Sequence, residues 1–271
     1  MRLALLVFTL TWPVTMAQQP HLASGRIEVS AAGSNLAQQL RGFSGPTWVG
    51  YAVEAVPGHR GCCTTINNGT CAMGCALEGG TFAGSTCPAE STAYLEGERS
   101  ANILFRVSNG EVERVRVFSP SCQLDIAGLT FHWLTGVRPA ESISFLRSLA
   151  VKNALSAIAV HADPSAEVFL RETALSTNAV RHDRERAAYS LAATRGPAGL
   201  EVVLKLLQTD TDERFRESLP GAIALASTGT SALIDIATND KSRKVRERAF
   251  FWLGRSKDAR AQKFVEEILS K

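Results

Sequence analysis

Apolar positions recur with a helical period through the second half of the chain. Val151-Lys152, Asp183-Arg184, Phe215-Arg216 and Val245-Arg246 follow one another at intervals of 32, 32 and 30 residues. Leu155, Ala187, Leu219 and Ala249 lie three residues past the basic residue, and Ala159, Leu191, Ile223 and Leu253 lie seven past it. Those offsets fall on one face of a helix. A turn follows each stretch, at His161-Ala162-Asp163-Pro164, Thr194-Arg195-Gly196-Pro197, Ser227-Thr228-Gly229 and Gly254-Arg255-Ser256-Lys257, and a second amphipathic run follows each turn. The pattern predicts four helix pairs. One pair cannot bury its apolar face alone, and stacking of about three or more supplies the core. Ala259–Leu269 reads as a polar-backed helix closing one end. Glu141–Ala150, begun by Pro139 at a favoured helix-start position, is expected to cap the other.

Before residue 138 the period changes to that of strands. Arg26–Ser30, Thr47–Val56, Ala101–Val107, Glu111–Phe118, Gln123–Ile126 and Thr130–Leu134 carry strand signals. Asn109-Gly110 predicts a tight hairpin turn between the third and fourth of these. Val112, Val115 and Val117 beside Glu111, Glu113, Arg114 and Arg116 predict one buried and one wet face, with an irregularity after Glu113. The expected fold is α+β: a small antiparallel β domain with a disulfide-rich loop at 18–137, then an all-α array of about four helix pairs at 138–271.

The run Val245-Arg246-Glu247-Arg248-Ala249-Phe250-Phe251-Trp252-Leu253-Gly254 resembles the first helix of a HEAT-type repeat, and Arg184–Leu191 resembles a second copy. The resemblance covers roughly residues 140 to 271. It is weakest in Val151–Leu175, and it departs from the pattern at Pro220, which sits mid-helix and is expected to kink it. The resemblance implies a short HEAT-like solenoid whose surface binds something, and it implies no reaction. Some HEAT-like repeat proteins resemble bilin lyases, which attach a chromophore to a partner protein, so a lyase-like or enzyme-assisting role is the alternative it implies.

Met1-Arg2, the apolar run Leu3–Leu10 and the small residues Thr15 and Ala17 predict a signal peptide over residues 1–17 and export to a periplasmic or extracellular space. The apolar run falls short of the roughly 20 residues a membrane span needs, and no later run approaches that length. Cys62, Cys63, Cys71, Cys75, Cys87 and Cys122 all precede the repeats, and behind a signal peptide an even number reads as a disulfide framework. Six cysteines allow 15 pairings. Adjacent Cys62 and Cys63 are expected to pair outward, not with each other. The segment 58–88 is poor in large apolar residues, so crosslinks worth on the order of 2–4 kcal/mol each take the place of a core there. Asn68-Gly69-Thr70 matches the N-glycosylation sequon.

The net charge is +3, too small to name a polyanionic partner, and nucleic acid is not expected. From Arg138 onward basic residues outnumber acidic ones, 21 against 17, while Gln18–Val137 carries seven against nine. His59 beside Cys62 and Cys63 suggests a metal site, but paired two-residue cysteine spacing is absent and exported cysteines oxidise, so no metal or cofactor is expected. Neither a Cys-x-x-Cys redox motif nor a nucleophile elbow, His-Glu-x-x-His pair or phosphate loop is present. His161 with Asp163, and His182 with Asp183, fall at helix ends or turns and read as capping or solvated residues. Arg184, Arg186, Arg216, Lys244 and Arg246 recur at helix starts, either as a basic ridge for a protein partner or as inter-repeat ion pairs. Trp48 and Trp133 are the aromatic candidates, for a core or for stacking on sugar. The expected function is that of an exported, non-catalytic protein-binding scaffold, with carbohydrate binding at the cell surface as a further alternative.

Overall fold

The computed structural model describes residues 19–57, 59, 61–67, 70–80, 82, 99–151 and 153–270, without the side chains of 64–67 and 70–73. The expected signal peptide, Cys87, the side chain of Cys71 and the sequon at Asn68 lie outside the described residues.

A five-stranded sheet organises the first half. It is built from β2 (Arg26–Ala31), β10 (Thr130–Thr135), β3 (Thr47–Glu54), β7 (Ser100–Ser108) and β8 (Glu111–Phe118), in the spatial order β2-β10-β3-β7-β8. Central β3 is buried on both faces over most of its length, which accounts for its nearly continuous apolar sequence. Gly50 is required there, because a Cβ would stand 2.5 Å from Leu104 Cδ2 and 3.0 Å from the Ile103 carbonyl oxygen. The β7–β8 hairpin turns through Asn109 and Gly110, both at positive φ. Its register shifts so that Val112 faces Val107 and Arg114 faces Arg106, leaving Glu113 as the extra residue of a bulge.

The expectation of an antiparallel domain is corrected. β10 pairs in parallel with both β2 and β3, and a second sheet, β1 (His21–Leu22), β9 (Gln123–Asp125) and β6 (Cys75–Ala76), is wholly parallel. Roughly a hundred residues separate Arg26 from its partner Thr130, and parallel strands need such long crossovers. β4 (Thr64–Asn67) and β5 (Thr70–Met73) form a separate hairpin.

The two faces of the main sheet are covered differently. Trp48, Leu104, Phe131 and Trp133 pack against Cys75, Cys122, Leu124 and Ile126 on one face. Tyr51, Ile103, Phe105 and Val107 pack on the other against α1 (Leu36–Arg41), α2 (Pro139–Ser148) and α3 (Ala154–Ala159), through Leu36, Leu40, Ile143, Phe145, Leu146 and Ile158. Helix α2 therefore lies on the sheet and also packs against α3 and α4 (Pro164–Leu175) at the first end of the helix array, between sheet and array. The hydrophobic core crosses residue 137, and so does the backbone: Ala162 N–H donates to the Glu54 carbonyl and Val56 N–H to the Val160 carbonyl.

The remaining helices arrive in pairs: α3 with α4 (Pro164–Leu175), α5 (Arg181–Thr194) with α6 (Gly196–Thr209), α7 (Glu213–Leu225) with α8 (Gly229–Asn239), and α9 (Arg243–Gly254) with α10 (Ala259–Leu269). Asp163, Asp212, Ser242 and Asp258 cap α4, α7, α9 and α10 through side-chain oxygens that accept from backbone N–H groups of the first turn. The first helices of the pairs touch in series, α3 to α5 to α7 to α9. Between them runs a core that includes Ala187, Leu191, Phe215, Leu219, Ile223, Val245, Ala249 and Leu253. Among the described residues no helix is long and apolar enough to cross a membrane.

Candidate functional site

The basic residues of the helix starts divide into two groups. Arg184 and Arg216 are buried at 4% and 3% exposure and act between elements. Arg184 Nε donates to the Ala174 carbonyl at the end of α4, its Nη2 pairs with Asp210 just past α6, and its guanidinium lies 4.0 Å from the Phe215 ring centroid. Arg216 repeats the arrangement one pair later. It donates to the Leu207 carbonyl at 2.7 Å and to both carboxylate oxygens of Asp240 at 3.0 and 3.1 Å. Arg246 donates to the Asp240 carbonyl at 2.7 Å. Each guanidinium thus satisfies an orphan carbonyl at a helix C-terminus, where positive charge is favoured.

The ridge reading is accordingly corrected for Arg184 and Arg216, whose charges are consumed internally. Arg186 and Arg246 are half-buried, and Lys244 is exposed and paired with Glu217 at 3.0 Å. Asp210 and Asp240, which complete the ladder, were missed as partners. Their spacing of 30 residues, each two positions before a capping residue, is the signal that repeat alignment offers.

Trp48 and Trp133 are fully buried, so neither presents a face for sugar stacking, and the core reading of both holds. The Trp48 indole N–H donates to Glu78 at 2.7 Å, and Glu78 also accepts from Arg106 Nε at 2.6 Å and Nη2 at 3.1 Å. Although partial burial opposes it, these donors hold the Glu78 carboxyl below the usual carboxylate range. The cluster ties the loop after β6 to β3 and β7.

His161 is also corrected: it is fully buried. Its Nδ1 lies 2.8 Å from the Ala157 carbonyl, and since a carbonyl only accepts, Nδ1 carries the proton. Nε2 of the neutral ring then accepts from Ser142 at 2.9 Å, and Ser142 Oγ accepts from Tyr51 at 2.7 Å. This chain joins β3, α2 and the end of α3 with every donor used. Burial lowers the His161 pKa and raises that of Tyr51. Arg195 braces the same corner from the α5–α6 turn by donating to the carbonyls of Ala159 and His161. Asp163 caps α4, and His182 is exposed.

Of the grooves on the helical half, two share lining residues. One, of about 760 Å³, lies between the α2–α3 and α4–α5 connections and is lined by Leu149, Val151, Leu155, Phe169 and Val180 among others. The other, of about 410 Å³, runs over α3, α5 and α7 past Ser156, Tyr189, Ser190 and Ser218. His182 and Arg186 line both. Tyr189 donates to the Ser218 carbonyl and packs over Gly221, where a Cβ would stand 2.0 Å from its hydroxyl.

Cys62 bonds Cys122 and Cys63 bonds Cys75. The adjacent cysteines do pair outward, each to a different strand region, and these four sulfurs are disulfide sulfurs, not metal-ligand thiolates. No protein-family model matches the chain, and no curated protein matches it.

Proposed function

We propose that this protein is an exported, non-catalytic binding scaffold in which four helix pairs form a short HEAT-like solenoid and present these two grooves to a protein partner. The observation that carries the reading is that the larger, aliphatic-lined groove and the smaller one share His182 and Arg186 in their lining. Val180, 68% exposed in the lining of the larger groove, offers an anchor of the kind that binding surfaces bury. The serial contact of α3, α5, α7 and α9 and the equivalent placing of Arg184 and Arg216 support the solenoid. Solenoids expose extended surfaces suited to protein recognition. The two disulfides and the basic-apolar start of the chain support export to an oxidising compartment. Arg186 lines both grooves, and Lys244 and Arg246, outside them on α9, are further candidate charged contacts.

Site-specific photo-crosslinking tests the proposal. A crosslinker at Val180 or Tyr189 is expected to trap the same exported protein in the producing cell, whereas one at Glu28, on the edge of the sheet, is not. Val180→Asp with Arg186→Glu is expected to lower capture at least tenfold with the helical melt unchanged. Equal trapping from Glu28, or undiminished capture by the double variant, sinks the assignment of this surface.

A further inference from the structure

The two disulfides are stacked. Cys75 Sγ lies 4.0 Å from Cys122 Sγ although each is bonded elsewhere, and the sulfurs of Cys62, Cys75 and Cys122 all lie within 4.8 Å of one another. Accessibility is graded across the cluster. Cys63 is exposed and Cys62 half-buried, while Cys75 and Cys122 are buried at 2% exposure each. The Cys63 backbone N–H points at Cys75 Sγ from 2.9 Å. The backbone that carries the two buried sulfurs is held independently of either bond. Cys75 pairs opposite Leu124 in the parallel β6–β9 ladder, and Cys122 stands two positions before Leu124, on the same side of the pleat. Gly61 is separately pinned to Ser119, donating to its hydroxyl at 3.0 Å and accepting from its N–H at 2.7 Å.

We propose that this cluster is a thiol–disulfide exchange site, opened at Cys63 by low-molecular-weight thiols, that converts two disulfides into a buried Cys75–Cys122 bond and a surface dithiol at Cys62 and Cys63. Exchange proceeds by attack of a thiolate on a disulfide sulfur through a mixed disulfide. An external thiolate attacks the exposed Cys63 Sγ, forming a mixed disulfide and breaking the bond to Cys75. The departing Cys75 thiolate accepts the Cys63 N–H, which stabilises it. It then attacks neighbouring Cys122, forming Cys75–Cys122 and expelling Cys62 as thiolate. A second external thiolate takes the first off Cys63. Two external thiols are oxidised to one disulfide, the protein gains two electrons, and the released Cys62 and Cys63 thiolates take protons from water. The site is independent of the scaffold reading, since no residue of the grooves takes part.

The test treats the oxidised full-length mature chain with stepwise reduced glutathione under native conditions, quenches with acid, alkylates free thiols and maps the peptides without reduction. Digestion with an acid protease and fragment-ion assignment separate these four cysteines from Cys71 and Cys87, which share with Cys62, Cys63 and Cys75 a stretch without Lys or Arg. The expected product carries alkylated Cys62 and Cys63 together with a Cys75–Cys122 crosslink, as the principal two-electron-reduced form of the cluster. Alkylated Cys63 and Cys75 beside an intact Cys62–Cys122 bond overturns the proposal, as does a cluster that resists glutathione until the chain unfolds. In a Cys62→Ser/Cys63→Ser variant, glutathione disulfide is expected to join Cys75 to Cys122 with the far-ultraviolet circular dichroism retained. Free thiols at both positions in the folded variant also overturn it. If that variant does not fold, the peptide map of the wild-type chain decides.

Discussion

At the residue scale, His161 has the most to lose from a change of protonation. Neutral, it completes a directed chain from Tyr51 through Ser142 to its own Nε2. Protonated, it makes both ring nitrogens donors, reverses Ser142 and leaves the Tyr51 hydroxyl proton without an acceptor inside the core. Burial is the main cause of the depression, and the opposing effect of nearby Asp163 exceeds the like charge that Arg195 adds. The folded-state pKa lies below the ordinary 6.5, so the unfolded chain binds the proton more readily. The stability His161 provides is then complete above about pH 6.5 and is lost as the pH falls through its folded value. His132, also depressed chiefly by burial, acts in the same direction. Urea melts are expected to show a decline between about pH 6.5 and pH 5, above the range where the carboxylates titrate. The decline is reduced in His161→Gln, and further with His132→Gln; an unchanged profile in His161→Gln assigns the decline elsewhere.

At the scale of elements, the arginine ladder decides how one helix pair sits on the next. Arg216 reaches back to the end of α6 and forward to Asp240 beyond α8, so its removal strands a carboxylate that is itself mostly buried. Breaking a buried pair from one side costs about 3–5 kcal/mol. Arg216→Ala is therefore expected to lower unfolding free energy by about that much, whereas Arg243→Ala, at a highly exposed pair with Glu247, changes it by less than about 1 kcal/mol. Equal effects in denaturant titrations contradict the distinction. The helix pairs themselves were legible from the spacing of apolar residues, and the turns fall where Gly, Pro and Asp mark them. The burial of the arginines was not legible, because a solvated ridge and a buried ladder both place Arg at the same step of a repeat. Only the partner on a neighbouring helix distinguishes them.

Over the whole molecule, the strand half and the helical half share one core. Ile143, Phe145 and Ile158 pack with Tyr51, Ile103 and Phe105, and residues 160–162 hydrogen-bond to the end of β3. We expect one cooperative transition. With Trp252 replaced by Phe in the mature chain, the fluorescence of Trp48 and Trp133 reports the sheet while far-ultraviolet circular dichroism reports mainly the helices. The two curves are expected to coincide in urea, and separated midpoints mean that the halves unfold independently.

The local periodicities by themselves determined the elements: strands at period two, the Asn109-Gly110 turn, four helix pairs at period 3.6, and cysteines confined to the first half. These depend on interactions within a few residues, which the order of residues records directly. The tertiary structure alone decided that β10 inserts between β2 and β3, that α2 covers the sheet, that Trp48, Trp133, Arg184 and Arg216 are internal, and that Cys62 and Cys63 reach Cys122 and Cys75. Each of these joins residues far apart in the chain, and local pattern carries the tendency of a segment to be buried without naming the segment that buries it.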